Sequence, residues 1–273
     1  TGLRGFCDRK FDRRLSKLSD KMTRRAKGEF RVVNIRIEEV LDMTTLVPTL
    51  PAVNYFDPAI FDEERQAIFS REWIYVGHAH ELENPNDYVT VELAGYSLIL
   101  VRDKEGQLKG YHNICRHRGA PLVTQAKGTL KSGVLSCQYH GWSYDSAGEF
   151  LSAPHISTTQ AQECLALRLY AVKVAEWNEF VFVNLDRNAR PFEEDRAELL
   201  TTIENSSVDL SEYEYHGTME RIGKFNWKIW VDGFQECYHC ATVHPCLSSD
   251  FSLRRYKIEN RDRFSFHSCM RKG

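Results

Sequence analysis

The sequence has no apolar run long enough to cross a membrane. Its longest candidates, such as Ser97–Val101, are five or so residues long and end in charge, far short of the ~18 residues a span requires. It has no excess of one charge either: 36 Lys+Arg face 38 Asp+Glu, a formal net charge of -2. No global field therefore favours nucleic acid or an anionic membrane as a partner. Internal repeats and low-complexity tracts are absent and no secretory apolar segment is visible, which removes solenoids from consideration. Eight cysteines in 273 residues are too sparse for a disulfide-stapled secreted scaffold. What is there is ordinary globular composition, 42% hydrophobic and 27% charged, in a chain long enough for one large domain or two smaller ones.

Residues 1–31 stand apart. They carry eleven Lys or Arg against four acids, with few large apolar side chains, and read as a solvated arm extending over 1–44. Such an arm leaves import into a plastid or mitochondrion open. Pro48 and Pro51 mark 45–57 as a linker, and Asp57 before Pro58 is a helix start, an N-cap followed by Pro at the first helical position. Phe61, Ile68 and Phe69 give that helix an apolar face. From Trp73 to Leu185 short alternating segments separated by turns predict an antiparallel β domain: Tyr88–Leu93, Ser97–Arg102, Gly133–Ser136, Leu167–Val174 and Glu179–Leu185. The pattern then changes. Pro191–Ile203 reads as helix, Tyr213–Ile222 as strand, and Asn226 to Ala241 as helix, with Trp227, Trp230, Val231 and Phe234 on one face.

Two constellations carry chemistry. Cys115-Arg116-His117 is followed, twenty residues after His117, by Cys137-Gln138-Tyr139-His140, two Cys-His pairs on turns between predicted strands. Two thiolates and two imidazoles suit a tetrahedral structural zinc. They equally suit a [2Fe–2S] cluster in which two cysteines hold one iron and two histidines the other. A single residue between Cys115 and His117 is tight for two ligands on one ion. The second constellation is Glu236, His239 and His244, with Pro245 immediately after. Five residues on a regular helix turn through ~140°, so both histidines reach one metal only where the helix is distorted or ends. Two histidines with open positions beside them are the protein half of a mononuclear non-haem iron site.

The stretch Asn113–Leu122 together with Cys137–Trp142 resembles the Rieske box of the Rieske non-haem iron oxygenases, and Glu236-x-x-His239-x4-His244 is similar to the iron motif of the same family. The resemblance implies a fold of the α+β class: an antiparallel β Rieske [2Fe–2S] domain over 45–186 and the first part of a helix-grip (Bet v1/START-like) catalytic domain over 187–273. It implies that Cys115 and Cys137 bind one iron of the cluster, and His117 and His140 the other. It makes His239 and His244 ligands of a mononuclear Fe(II), and Glu236 the acidic bridge that couples the cluster of one subunit to the iron of the next. The family's third iron ligand is a carboxylate farther along than residue 273, so the chain is expected to be an N-terminal fragment; Asp250 is wrongly spaced to replace it. Lys127–Gly133 is read as an insertion in a surface loop, and Gly233 departs from the Asn frequent in relatives. Arg118 is expected to support the cluster loop and Trp142 to shield it. Cys237, Cys240 and Cys246 are read as packing residues, and His78, His80, His112, His155, His216 and His267 as ordinary ones.

By the same resemblance the protein is the oxygenase component of a two- or three-component system. NAD(P)H supplies electrons indirectly through a flavin- or ferredoxin-type reductase, O2 is the oxidant, and the assembly is a homotrimer with no nucleic-acid or membrane partner. Glu236 with Cys237 and Cys240 resembles the branch acting on quaternary ammonium compounds such as choline, glycine betaine or carnitine. The alternatives are an aromatic-ring-hydroxylating dioxygenase and a non-catalytic Rieske or zinc module. Ligand cysteines need reducing conditions during assembly, which places the protein inside the cell, in the cytoplasm.

Overall fold

A computed structural model of the chain describes residues 49–156 and 167–272; the basic arm lies outside the described residues. Pro51–Gly273 forms one compact unit. A single 3-10 turn at Ala52–Tyr55 occupies the linker. Helix α1 (Pro58–Glu64) then begins as its sequence dictates, with Asp57 Oδ1 accepting the Ala59 N–H at 2.9 Å and Pro58 at N1. It continues through a π turn to Phe69.

Ten strands follow: β1 (Ile74–His78), β2 (Asp87–Leu93), β3 (Tyr96–Arg102), β4 (Leu108–His112), β5 (Lys127–Thr129), β6 (Val134–Ser136), β7 (Ser143–Asp145), β8 (Phe150–Ser152), β9 (Ala171–Trp177) and β10 (Phe180–Asn184). Seven form an antiparallel sheet in the order β1-β10-β9-β4-β3-β2-β5, and β6-β7-β8 form a small second sheet. The apolar run noted in the sequence is β3. Its side chains alternate between two cores: Ile99 and Val101 enter one with Tyr111, Leu135 and Tyr144, while Leu98 and Leu100 enter the other with Leu82, Val181 and Val183. A strand covered on both faces needs no polar positions, which is why this one reads as continuous apolar sequence.

Lys127–Gly133 is not a free loop. Lys127–Thr129 is edge strand β5, paired to β2 through Asp87–Thr129, Tyr88–Gly128 and Val89–Lys127, and a 3-10 turn at Lys131–Gly133 carries the chain into β6. Beyond the β domain come α2 (Phe192–Asp195), α3 (Ala197–Glu204), α4 (Trp227–Phe234), α5 (Cys240–Val243), α6 (Pro245–Asp250) and the hairpin β11 (Phe251–Asn260) with β12 (Ser265–Arg271). Three expectations need correction here. The helix expected over Pro191–Ile203 is two, broken at Arg196, whose backbone (φ -111, ψ 16) leaves the helical region. The strand expected over Tyr213–Ile222 does not form, and none of those residues pairs with a strand among the described residues. The helix expected to run to Ala241 stops at Phe234. No helix among the described residues is long and apolar enough to cross a membrane.

Candidate metal centres

The two Cys-His segments are near-copies of one loop. In the first, which follows β4, the Cys115 N–H donates to Ala120 O at 2.8 Å and the Gly119 N–H donates to Cys115 O at 2.9 Å. In the second, between β6 and β7, the Cys137 N–H donates to Trp142 O at 2.8 Å and the Gly141 N–H to Cys137 O at 2.9 Å. Each loop turns on a glycine in the left-handed region, Gly119 at φ 70 and Gly141 at φ 69, where a side chain is disfavoured. Asn113 braces the first loop: its Oδ1 accepts the Leu122 and Val123 N–H groups at 2.9 and 3.1 Å, and its Nδ2 donates to Val123 O at 2.8 Å.

This pairing of loops sorts the donors by type. Cys115 and Cys137 lie in the core at 2% and 3% exposure, while His117 and His140 stand outside them, exposed, with ring centroids 4.7 Å apart. Trp142 stacks on His117 at 4.8 Å with the planes 3° apart. Burial pushes the Cys137 thiol up, as does the Cys115 thiol beside it, while the Tyr139 and His140 N–H groups oppose this. Partial desolvation and the nearby His140 and Arg118 hold His117 below its ordinary value. An inner pair of sulfurs and an outer pair of imidazoles fits a [2Fe–2S] cluster with two thiolates on one iron and two histidines on the other.

Tyr144 escaped sequence reading. Fully buried, it places its hydroxyl 3.5 Å from Cys115 Sγ and accepts the Arg116 N–H at 3.1 Å. Its signal is tertiary, since it lies 29 residues from Cys115. The matched glycines, each four residues after its cysteine, were visible in the sequence.

The second constellation forms where the predicted helix breaks. After α4, Gln235–Tyr238 are irregular, His239 caps α5, and His244 (φ -120, ψ 68) separates α5 from α6, whose first residue is Pro245. The break brings the His239 and His244 rings to 5.2 Å at 72°, which a continuous helix would forbid. Glu236 is not one helical turn before His239 as expected, yet it meets the same ring: His239 Nδ1 contacts Glu236 Oε1, and the Tyr238 N–H donates to Oε2. Desolvation works against the Glu236 carboxylate, but these hydrogen bonds outweigh it and hold the group below its ordinary value. With Nδ1 engaged, His239 Nε2 is the nitrogen left for a metal. Asp250 is turned elsewhere, accepting from Ser249 Oγ at 2.9 Å. Among the described residues no three His, Cys, Asp or Glu side chains close on one point. Cys237 and Cys240, expected as packing thiols, are joined in a disulfide that brackets His239, while Cys246 is free and exposed.

Helix α4 is anchored by residues that sequence reading passed over. Buried Lys228 pairs with Glu64 of α1, the Trp227 Nε1–H donates to Glu64 Oε2 at 2.8 Å, and Phe69 meets Trp227 edge-on at 5.3 Å. Farther along α4 the same face is open: Trp230 and Phe234 are exposed. With Val231, Gln235, Ser265 and His267 they line a hollow of 370 Å3. The Tyr256 hydroxyl bonds His267 Nδ1, and Glu236 acts electrostatically on Tyr256, so His267 and Tyr256 link this hollow to Glu236.

Comparison with known proteins follows the same division. The family profile of the Rieske [2Fe-2S] domain matches residues 72–171, and that of the ring hydroxylating alpha subunit (catalytic domain) matches 207–272. The carnitine monooxygenase oxygenase subunit of Escherichia coli (strain K12) is 33% identical over 208 residues, 76% of this chain and 55% of that protein. The glycine betaine monooxygenase oxygenase subunit of Chromohalobacter salexigens is 33% identical over 201 residues, 73% of this chain and 44% of that protein. The chain thus spans about half the length of these curated relatives. Among solved structures, the quaternary ammonium Rieske monooxygenase CntA in complex with its substrate L-carnitine superposes with a TM-score of 0.68 at 29% identity, covering 80% of this chain and 61% of that one.

Proposed function

Since the chain belongs to the Rieske non-haem iron oxygenases, with a Rieske domain followed by alpha-subunit catalytic sequence, we propose that it acts as the oxygenase component of a reductase-fed system that oxidises a quaternary ammonium compound. Cys115 and Cys137 hold one iron of the cluster, and His117 and His140 the other. His239 and His244 hold the mononuclear iron together with a carboxylate. Bound there, the two centres supply electron relay and O2 activation beside the substrate. The protein's own work is positional. Glu236, kept ionised by its hydrogen bonds, fixes the His239 tautomer and turns Nε2 toward the metal. In a homotrimer the same carboxylate bridges to the cluster of the neighbouring subunit. The reductase draws on NAD(P)H, and the system works in the cytoplasm. The two domains divide at residues 186 and 187.

The observation that carries the substrate class is the hollow of Trp230 and Phe234, linked to Glu236 through His267 and Tyr256. Exposed aromatic faces attract a quaternary ammonium that no hydrogen bond can hold, and the carnitine and betaine relatives act on such cations. The test joins metal analysis to turnover, using the full-length protein reconstituted anaerobically, a reductase and NADH. Wild type is expected to hold about three irons and about two sulfides per chain and to oxidise carnitine, glycine betaine or choline. His239→Ala should keep the sulfide, lose about one iron and lose turnover. Oxidation of aromatic acids alone would replace the substrate assignment, and unchanged iron in His239→Ala would overturn the oxygenase assignment.

A further inference from the structure

Beside the first cluster loop the surface carries a concentration of positive charge that the chemistry above does not use. A groove of 520 Å3 is lined by Arg116, Arg168, Lys173 and Arg187 around Tyr170, with Leu169 and Val172 in its floor and no acidic residue in its lining among the described residues. Tyr170 organises it. The Arg116 guanidinium lies 3.7 Å over the ring and that of Arg187 lies 5.8 Å from it. Arg168 keeps over half of its side chain exposed although Glu149 pairs with it at 2.5 Å, and Arg187 is exposed. In a chain whose formal charge is only -2, four cations around one ring make a local field, not a reflection of composition.

The position of the groove gives the field its meaning. Arg116 stands between the ligands Cys115 and His117, and its N–H bonds the Tyr144 hydroxyl that lies 3.5 Å from Cys115 Sγ. The stacked Tyr170 ring is therefore one side chain removed from the cluster loop and itself 42% exposed. A buried cofactor that must be reduced by another protein needs a short route to a surface where that protein can settle briefly. Such encounters are small, polar and electrostatically steered.

We propose that this groove is the landing site of the electron donor, and that the donor presents an acidic surface around its own redox centre. The assignment rests on the reading above that electrons reach the cluster from an external reductase. Arg168 and Arg187 set the rate of encounter. Arg116 and Tyr170 close the gap to the ligand loop.

The experiment is stopped-flow reduction of the oxidised full chain, with its cluster in place, by a reduced acidic plant-type [2Fe–2S] ferredoxin. Dithionite serves as a reductant too small to need docking. For wild type the second-order rate should fall steeply as salt is raised. Arg187→Glu combined with Arg168→Gln should lower the low-salt rate about tenfold and flatten its salt dependence, whereas Arg187→Lys should retain the wild-type rate. Dithionite reduction, the Rieske EPR signal and the oligomeric mass should be the same in all of them. A wild-type rate indifferent to salt, or a double variant as fast as wild type, would overturn the docking assignment alone. So would a changed oligomeric mass, which would make the groove a contact between copies of this chain. Absence of a Rieske signal in wild type would instead overturn the functional reading on which it rests.

Discussion

Tyr144 does at one residue what the ligands themselves cannot. Burial pushes its phenol far above the usual range, and the Cys115 contact adds to this, so the hydroxyl keeps its proton and can donate it toward the sulfur. Reduction adds an electron to the cluster, and a hydrogen bond to a ligand sulfur favours the more negative state. Tyr144→Phe keeps the ring that packs on Phe150 and removes only the hydroxyl, with its contacts to Cys115 Sγ and the Arg116 N–H. A hydrogen bond worth ~0.5–1.5 kcal/mol corresponds to a fall of about 20–60 mV in a one-electron potential. Redox titration followed by EPR should find that fall, and an unchanged or raised potential would deny the hydroxyl this role. The ligands were legible because cysteine and histidine in paired spacing name their own chemistry. Tyr144 and Asn113 were not, because a tyrosine or an asparagine becomes specific only once the fold sets it beside a ligand loop.

At the scale of elements, legibility follows what stabilises each one. Several strands of the β domain were readable within a residue or two because alternation and turn residues are local signals; Asp87–Leu93 and Tyr96–Arg102 are nearly as expected, whereas the strand expected over Leu167–Val174 lies at Ala171–Trp177. Errors gather where a local pattern met no tertiary partner or a competing one. Apolar spacing over Asn226–Ala241 is helical, but the turn that joins Glu236 to His239 and the Tyr238 N–H ends the helix at Phe234. The Lys127–Gly133 segment looked like loop because three residues carry too little pattern to declare an edge strand. Helix α4 itself is held through the Glu64–Lys228 pair, both side chains largely buried at 13% and 9% exposure. Breaking one side of such a pair strands the other charge. Glu64→Ala should therefore cost about 3–5 kcal/mol, read as a loss of denaturation midpoint, and should loosen α4 in hydrogen exchange before the β strands. Glu64→Leu with Lys228→Met removes both charges and should recover most of the loss. A single variant as stable as wild type would mean the pair carries no such weight.

For the molecule as a whole, the two cores decide what can stand alone. Every residue of both buried clusters lies between Ala79 and Val183, so the β domain contains its own driving force for folding. The proposed division at 186 nevertheless leaves on the far side a buried side chain that packs against the β domain. Phe192 is 2% exposed, stacks on Phe182 at 4.5 Å and meets Trp73 edge-on at 5.6 Å. Arg196 pairs with Glu72 at 2.7 Å, and the Trp73 Nε1–H donates to Arg190 O at 3.2 Å. The segment after β10 thus lies over the face made by Trp73 and Phe182 before the chain departs for the histidine pair. Fragments 49–186 and 49–205 should both fold cooperatively, because both keep the two cores. The shorter should be less stable by about 3–5 kcal/mol, the loss expected when a buried phenylalanine is removed, and urea unfolding of the two fragments measures the difference. Equal stabilities would show that Phe192 merely occupies a surface the domain can leave open. Failure of the longer fragment to fold would show that the β domain depends on the sequence after residue 205, and the proposed two-domain organisation would fall with it.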